Sequence, residues 1–130
     1  MTGFMLDTDI SSYIIKRRPA TLAEKFEKHA ETLSVSVITA AELRFGAEKA
    51  GRPKLADLVE DLERLAILDW TNEVTSHYAR IRCELERRGK PIGNMDLLIA
   101  AHALSQHMTV VTNNFKHFSS VPGLKVELWN

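Results

Sequence analysis

The 130-residue sequence predicts an α/β fold: one domain over residues 1–130, with a short, mostly parallel sheet flanked by helices on both faces. Three observations predict it. Strand-like and helix-like periodicities alternate along the chain, the pattern of parallel strands joined by helical crossovers. Phe4-Met5-Leu6 is a short apolar run of the kind a strand covered on both faces shows. Asp96 to Leu104 is apolar nearly all round, so its helix is expected to be buried against the sheet. No repeat, low-complexity tract or linker divides the chain.

The elements follow in order. After Phe4-Met5-Leu6, the segment Leu33 to Ile38 alternates in polarity, is rich in β-branched residues and predicts a second strand. Pro53 suits a first helical turn, and Leu55, Leu58, Val59, Leu62 and Leu65 follow at helical spacing. Ala66-Ile67-Leu68 predicts a third strand. Val74, Tyr78, Ile81 and Leu85 form an apolar stripe, ended by Gly89 and Pro91. Beyond the buried helix, Thr109-Val110-Val111 and Leu124 to Leu128 complete the sheet. Ligands of such sheets bind beyond the carboxyl ends of the strands, which makes that edge the place to look for chemistry.

Charge narrows the function classes. A formal net charge of zero selects neither nucleic acid nor membrane through the overall field, so an anionic substrate needs a local basic patch or a metal. The single Cys83 excludes an intrachain disulfide and a multi-cysteine zinc site, and fits a reduced intracellular thiol. Neither a signal peptide nor a run of membrane-spanning length is present, so a cytoplasmic protein without a membrane partner is expected.

Three acids stand at junctions between a strand-like or turn-like segment and a helix-like one: Asp7 after Phe4-Met5-Leu6, Glu42 after Val35 to Ile38, and Asp96 after Pro91 to Asn94. Each has a structural explanation by itself. Thr39-Ala40-Ala41-Glu42 reads as a capping box, Asp96 suits the first turn of its helix, and Asp7 or Asp9 can cap the turn around Thr8. Gathered together they differ: two carboxylates about 4 Å apart repel by roughly 4 kcal/mol at an effective dielectric of 20. Such a cluster raises pKa values or recruits a cation, and hard oxygen donors suit Mg²⁺ or Mn²⁺.

Other polar residues are less specific. Thr112-Asn113-Asn114, after a strand, reads equally as a plain turn and as a hydrogen-bonding group for phosphate or metal-bound water. His29, His77, His102, His107 and His117 form no paired ligand motif, and His77 and His102 lie in helical patterns as packing or surface residues. Lys16-Arg17-Arg18 and the group Arg80, Arg82, Arg87, Arg88 and Lys90 are local basic clusters. Glu84 and Glu86 interleave with the second group, which reads as a solvated face; a few such cations near the acids suffice to hold a nucleic-acid backbone.

Four ordered blocks carry a resemblance over essentially the whole chain: Met5-Leu6-Asp7-Thr8-Asp9-Ile10, Ile38 to Ala47, Pro91 to Ala103, and Val111-Thr112-Asn113-Asn114-Phe115-Lys116-His117-Phe118. The sequence resembles PIN-domain ribonucleases of the VapC toxin family. That resemblance implies an α/β/α domain binding Mg²⁺ or Mn²⁺, with Asp7, Glu42 and Asp96 as its acidic catalytic residues and Asp7 and Asp96 as metal ligands. Thr8, Asp9, Thr112 and Asn114 are further candidates for secondary roles at the site. It further implies an endoribonuclease, with tRNA cut in the anticodon region as one substrate class. The cognate VapB-like antitoxin would hold it inactive, homodimers are common, and operator DNA is bound only through the antitoxin. Two departures stand out. Asp9 occupies a position where the family often has Asn, and Asn114 falls in a segment where many PIN domains carry a fourth acid, which weakens a second metal site. Two rival readings remain: Asp7-Thr8-Asp9 as the nucleophile and acid of a haloacid-dehalogenase-type phosphatase, for which the chain is short, and a scaffold whose acids only cap helices.

Overall fold

The computed structural model describes residues 3–15, 20–62 and 64–129; the basic cluster Lys16-Arg17-Arg18 lies outside them. In chain order the elements are β1 (Phe4–Leu6), α1 (Thr8–Ile15), α2 (Ala20–His29), a 3₁₀ turn (Ala30–Thr32), β2 (Leu33–Ser36), α3 (Val37–Ala50), α4 (Arg52–Leu62), β3 (Ala66–Leu68), α5 (Asn72–Arg87), α6 (Asn94–Ser105), β4 (Thr109–Thr112), α7 (Phe115–Ser119) and β5 (Val126–Leu128).

The five strands form one sheet in the order β3-β2-β1-β4-β5, and every pairing is parallel. The expected mostly parallel sheet is therefore parallel throughout. Strand β1 is central, with Met5 in register with Ser34 on one side and Val110 on the other. The chain builds outward from β1 through β2 to β3, then crosses back to lay β4 on the other side of β1. That reversal opens a crevice beyond the carboxyl ends of β1 and β4, the place where doubly wound sheets bind ligands.

Alternation along the strands splits the core into two layers. Met5 and Val110 face Val74, Ile81 and Leu85 of α5, Ile99 and Ala103 of α6, and Phe118 of α7. Leu6 and Val111 point the opposite way, to Ile10 of α1, Leu22 and Phe26 of α2, and Trp129. Helix α6 buries Leu97, Ile99 to Ala103 and Ser105, as its all-round apolar sequence predicts. Among the described residues no helix is long and apolar enough to cross a membrane.

Three expectations are corrected. The strand predicted over Leu33 to Ile38 stops at Ser36, because the Ser36 hydroxyl accepts the Ile38 N–H at 3.1 Å and starts α3 at Val37. A serine cap outweighs the β-preference of two following branched residues. The capping box therefore does not form: Thr39 lies inside the first turn, its buried hydroxyl without a partner among the described residues, and Glu42 falls in the second turn. Helix α4 ends at Leu62, so Leu65, placed on its stripe by spacing, packs instead from the following turn against the Leu6 layer.

Candidate active site

Asp7 is the first residue beyond β1 and is 3% exposed. Its Oδ1 accepts the Ile10 N–H at 2.8 Å, and its carbonyl oxygen accepts both the N–H and the hydroxyl of Ser11, so Asp7 caps α1. Its Oδ2 accepts the hydroxyl of Thr112, the last residue of β4. The Thr112 oxygen in turn accepts the Asn114 N–H at 2.8 Å, which ties the segment after β4 to the same carboxylate. Burial pushes the Asp7 pKa up to about 6; the Thr112 and Ile10 hydrogen bonds oppose the rise, and the charges of Asp9 and Asp96 add to it.

The crossovers bring the other acids to this point. Helix α3 leaves the carboxyl end of β2 and carries half-buried Glu42 on its second turn. Helix α6 feeds β4 from the same edge and carries Asp96 in its first turn, where the helix dipole favours an anion. Asp7, Thr8, Asp9, Glu42, Met95 and Asp96 line one cleft of about 180 Å³. All three predicted catalytic acids thus share a cleft with Asp9 and Thr8, and no lysine or arginine is among its described lining residues. Thr112 joins them through Asp7, and the Thr8 hydroxyl is buried there without a hydrogen-bond partner among the described residues.

This donor set fits a hard divalent cation. Among the described residues no three His, Cys, Asp or Glu side chains form a ready-made metal cage. A Mg²⁺-like ion does not require one: it keeps several waters and takes one or two carboxylates from the protein. A group of acids in which burial and neighbouring charge hold Asp7 near pKa 6 gains by sharing such an ion.

Sequence reasoning missed His117. Its Nδ1 lies 2.9 Å from Oδ2 of Asp96, and the side-chain amide of Asn114 stands 2.9 Å from the same nitrogen. A carboxylate only accepts, so Nδ1 carries the proton, and the amide oxygen of Asn114 is the atom that suits that N–H. The available signal was the three-residue spacing of Asn114 and His117 just past a strand; nothing local says that α7 meets α6.

His102, read as packing or surface, is fully buried, and its Nδ1 is 2.7 Å from the Ser36 hydroxyl that caps α3. Desolvation lowers its pKa and keeps the ring neutral; the backbone of Asp69 opposes this but closes no hydrogen bond to Nε2. This contact joins the helix bearing Asp96 to the start of the helix bearing Glu42. Arg82, Arg87 and Arg88 form ion pairs of 2.7–2.9 Å with Glu84 and Glu86 on the solvent face of α5 and at its C-cap, as the solvated-face reading predicts.

The PIN domain family model matches residues 4–124. Ribonuclease VapC2 of Haemophilus influenzae is 43% identical over 131 residues, covering 99% of each chain. The tRNA(fMet)-specific endonuclease VapC of Salmonella typhimurium is 40% identical with the same coverage. The chain is a PIN-domain protein of the VapC family. Solved structures agree: DNA-bound VapBC from Salmonella typhimurium superposes with a TM-score of 0.95 at 39% identity over 100% of both chains. VapBC2 from Rickettsia felis, bound to a promoter DNA fragment, gives a TM-score of 0.91 at 38% identity over 98% of both chains. In this PIN domain the acidic cleft lies at the β1/β4 switch point, and membership sets aside the dehalogenase reading.

Proposed function

We propose that this PIN domain is the toxin of a type II toxin–antitoxin pair, an endoribonuclease dependent on Mg²⁺ or Mn²⁺. What carries the reading is the convergence of Asp7, Glu42 and Asp96 on one cleft with no lysine or arginine among its described lining residues. Asp7 and Asp96 hold the ion, Asp7 kept in place by the Ile10 N–H and the Thr112 hydroxyl. When bound, the ion supplies charge stabilisation at the phosphate and a lowered pKa for water. Glu42 accepts a hydrogen bond from the attacking water and orients it toward phosphorus, in line with the departing 3′ oxygen. Water adds and the 3′ oxygen leaves, giving 5′-phosphate and 3′-hydroxyl ends. Thr8, Asp9 and Asn114 support this machinery, with Asn114 orienting His117 against Asp96.

The substrate proposed is tRNA, cut in the anticodon region; the name of the Salmonella relative supports the class. The solved VapBC complexes support a VapB-like antitoxin as partner, with operator DNA reached through it; a toxin homodimer belongs to the same reading. The deciding experiment incubates the purified chain with total tRNA in Mg²⁺, Mn²⁺ or EDTA and sequences the 5′-phosphate ends. Cleavage should require the ion and fall at least 100-fold in Asp96→Asn. Undiminished cleavage in EDTA, or by that variant, refutes the assignment.

A further inference from the structure

An acidic cleft repels the polyanion it is to cut, so the backbone needs an anchor nearby. A larger hollow of about 560 Å³ adjoins the cleft, between the segment after α5 and helix α7. Its walls include Lys90, Gly93, Lys116, His117, Ser119 and Ser120, and none of its described lining residues is acidic. The two depressions meet at named atoms. His117 lines the hollow while its Nδ1 is bonded to Asp96 of the cleft. Gly93 is the N-cap of α6, whose first-turn residues Met95 and Asp96 line the cleft. Opposite charge is thus segregated side by side on a chain whose net charge is zero.

The cations of the hollow are uncommitted. Among the described residues neither Lys90 nor Lys116 pairs with a carboxylate, whereas Arg82, Arg87 and Arg88 all do. The hydroxyls of Ser119 and Ser120 donate to backbone carbonyls of their own helix at 3.4 and 3.3 Å, long bonds easily exchanged for a phosphate oxygen. We infer that this hollow seats the phosphodiester backbone of the RNA flanking the scissile bond, with Lys90 and Lys116 each neutralising a phosphate. This rests on the ribonuclease reading above and adds to it the path of the substrate strand.

The test measures steady-state cleavage of a fluorescent single-stranded RNA oligonucleotide by the full chain in Mg²⁺ over a range of KCl. Wild type is compared with Lys90→Ala/Lys116→Ala, its charge-reversed counterpart Lys90→Glu/Lys116→Glu, and Lys28→Ala, an exposed lysine of α2 away from the hollow. All three substituted lysines are exposed, so the fold should hold, and near-ultraviolet circular dichroism checks it. The alanine pair should raise KM at least about tenfold while kcat stays within about twofold. It should also flatten the salt dependence of kcat/KM by about 1.4 logarithmic units per decade of salt, at roughly 0.7 per phosphate contact on a single strand. Charge reversal should act more strongly, and Lys28→Ala should match wild type. An unchanged KM and salt slope, or an equal change in Lys28→Ala, overturns the proposal. So does a variant pair that cleaves RNA normally but loses affinity for the antitoxin, since the hollow then serves a protein. Should wild type cleave no RNA with either ion, the ribonuclease reading fails by itself. Anisotropy of the same oligonucleotide in EDTA then decides the hollow, by loss or retention of binding in the alanine pair.

Discussion

Asp7 couples function to a stability cost that can be measured by Asp7→Asn. Burial raises its pKa from 3.8 to about 6, so the folded chain holds that proton more tightly than the unfolded chain. The sign follows directly: the contribution to stability is fully present below about pH 4 and is lost as pH rises through about 6. With roughly two pKa units at about 1.4 kcal/mol each, the ionised carboxylate costs the metal-free fold about 3 kcal/mol above that range. Asparagine keeps the acceptor for the Ile10 N–H but turns an amide toward Thr112, whose hydroxyl then has to give up its donor role. That mismatch returns about 1 kcal/mol. The variant should therefore be more stable than wild type by about 2 kcal/mol at pH 7.5 in EDTA, or roughly 6–10 °C in Tm for a chain of this size. Urea unfolding from pH 4 to 8 should show the gap opening between pH 4 and 6. Added Mg²⁺ should narrow it by stabilising wild type selectively. An Asp7→Asn chain that is no more stable than wild type at pH 7.5 in EDTA would refute the reasoning.

Two further substitutions probe what holds the site's framework. Ser36→Ala removes the cap of α3 and leaves Nδ1 of buried His102 unpaired, so urea unfolding should show a loss of about 2–3 kcal/mol; a loss under about 0.5 kcal/mol would show that this contact does not brace the two helices. Gly3→Ala places a Cβ 2.7 Å from the carbonyl oxygen of Thr32, a backbone atom in the turn that leads into β2. The strand must shift, at a cost of about 1–3 kcal/mol in the same assay, and an unchanged midpoint would contradict the close approach.

Much of the fold was legible because its signals are local. Met5 and Leu6 alternate faces between two layers, and the nearly all-round apolar pattern of α6 signals its burial. Errors arose where two local signals compete. Val37 and Ile38 favour a strand, yet Ser36 ends it, because a side-chain cap satisfies a helix N–H that propensity does not count. Leu65 fits helical spacing, but the turn after α4 sends it to the other layer. Helix α2 carried no prediction at all, although Leu22 and Phe26 fill the core beneath Trp129.

The candidate site divides in the same way. Asp7, Glu42 and Asp96 were readable because strand-to-helix junctions of a parallel sheet share one edge, a consequence of handed crossovers alone. Their exact company was not. Thr112 lies 105 residues from the Asp7 it bonds, and His117 reaches Asp96 from a helix that five residues barely define. The basic hollow needs Lys90 and Lys116 brought to one surface; Lys90 read only as part of a solvated basic group, and nothing local links it to Lys116 among seventeen lysines and arginines.

The amino-acid order by itself determined the alternation of strands and helices, the burial of α6 and the junction positions of the acids, since each depends on neighbours within a turn or two. Tertiary structure decided the strand order β3-β2-β1-β4-β5, the crevice between β1 and β4, the elevated pKa of Asp7 and the pairing of Asp96 with His117. Those depend on which distant segments exclude water from one another, and desolvation has no representation in a local pattern.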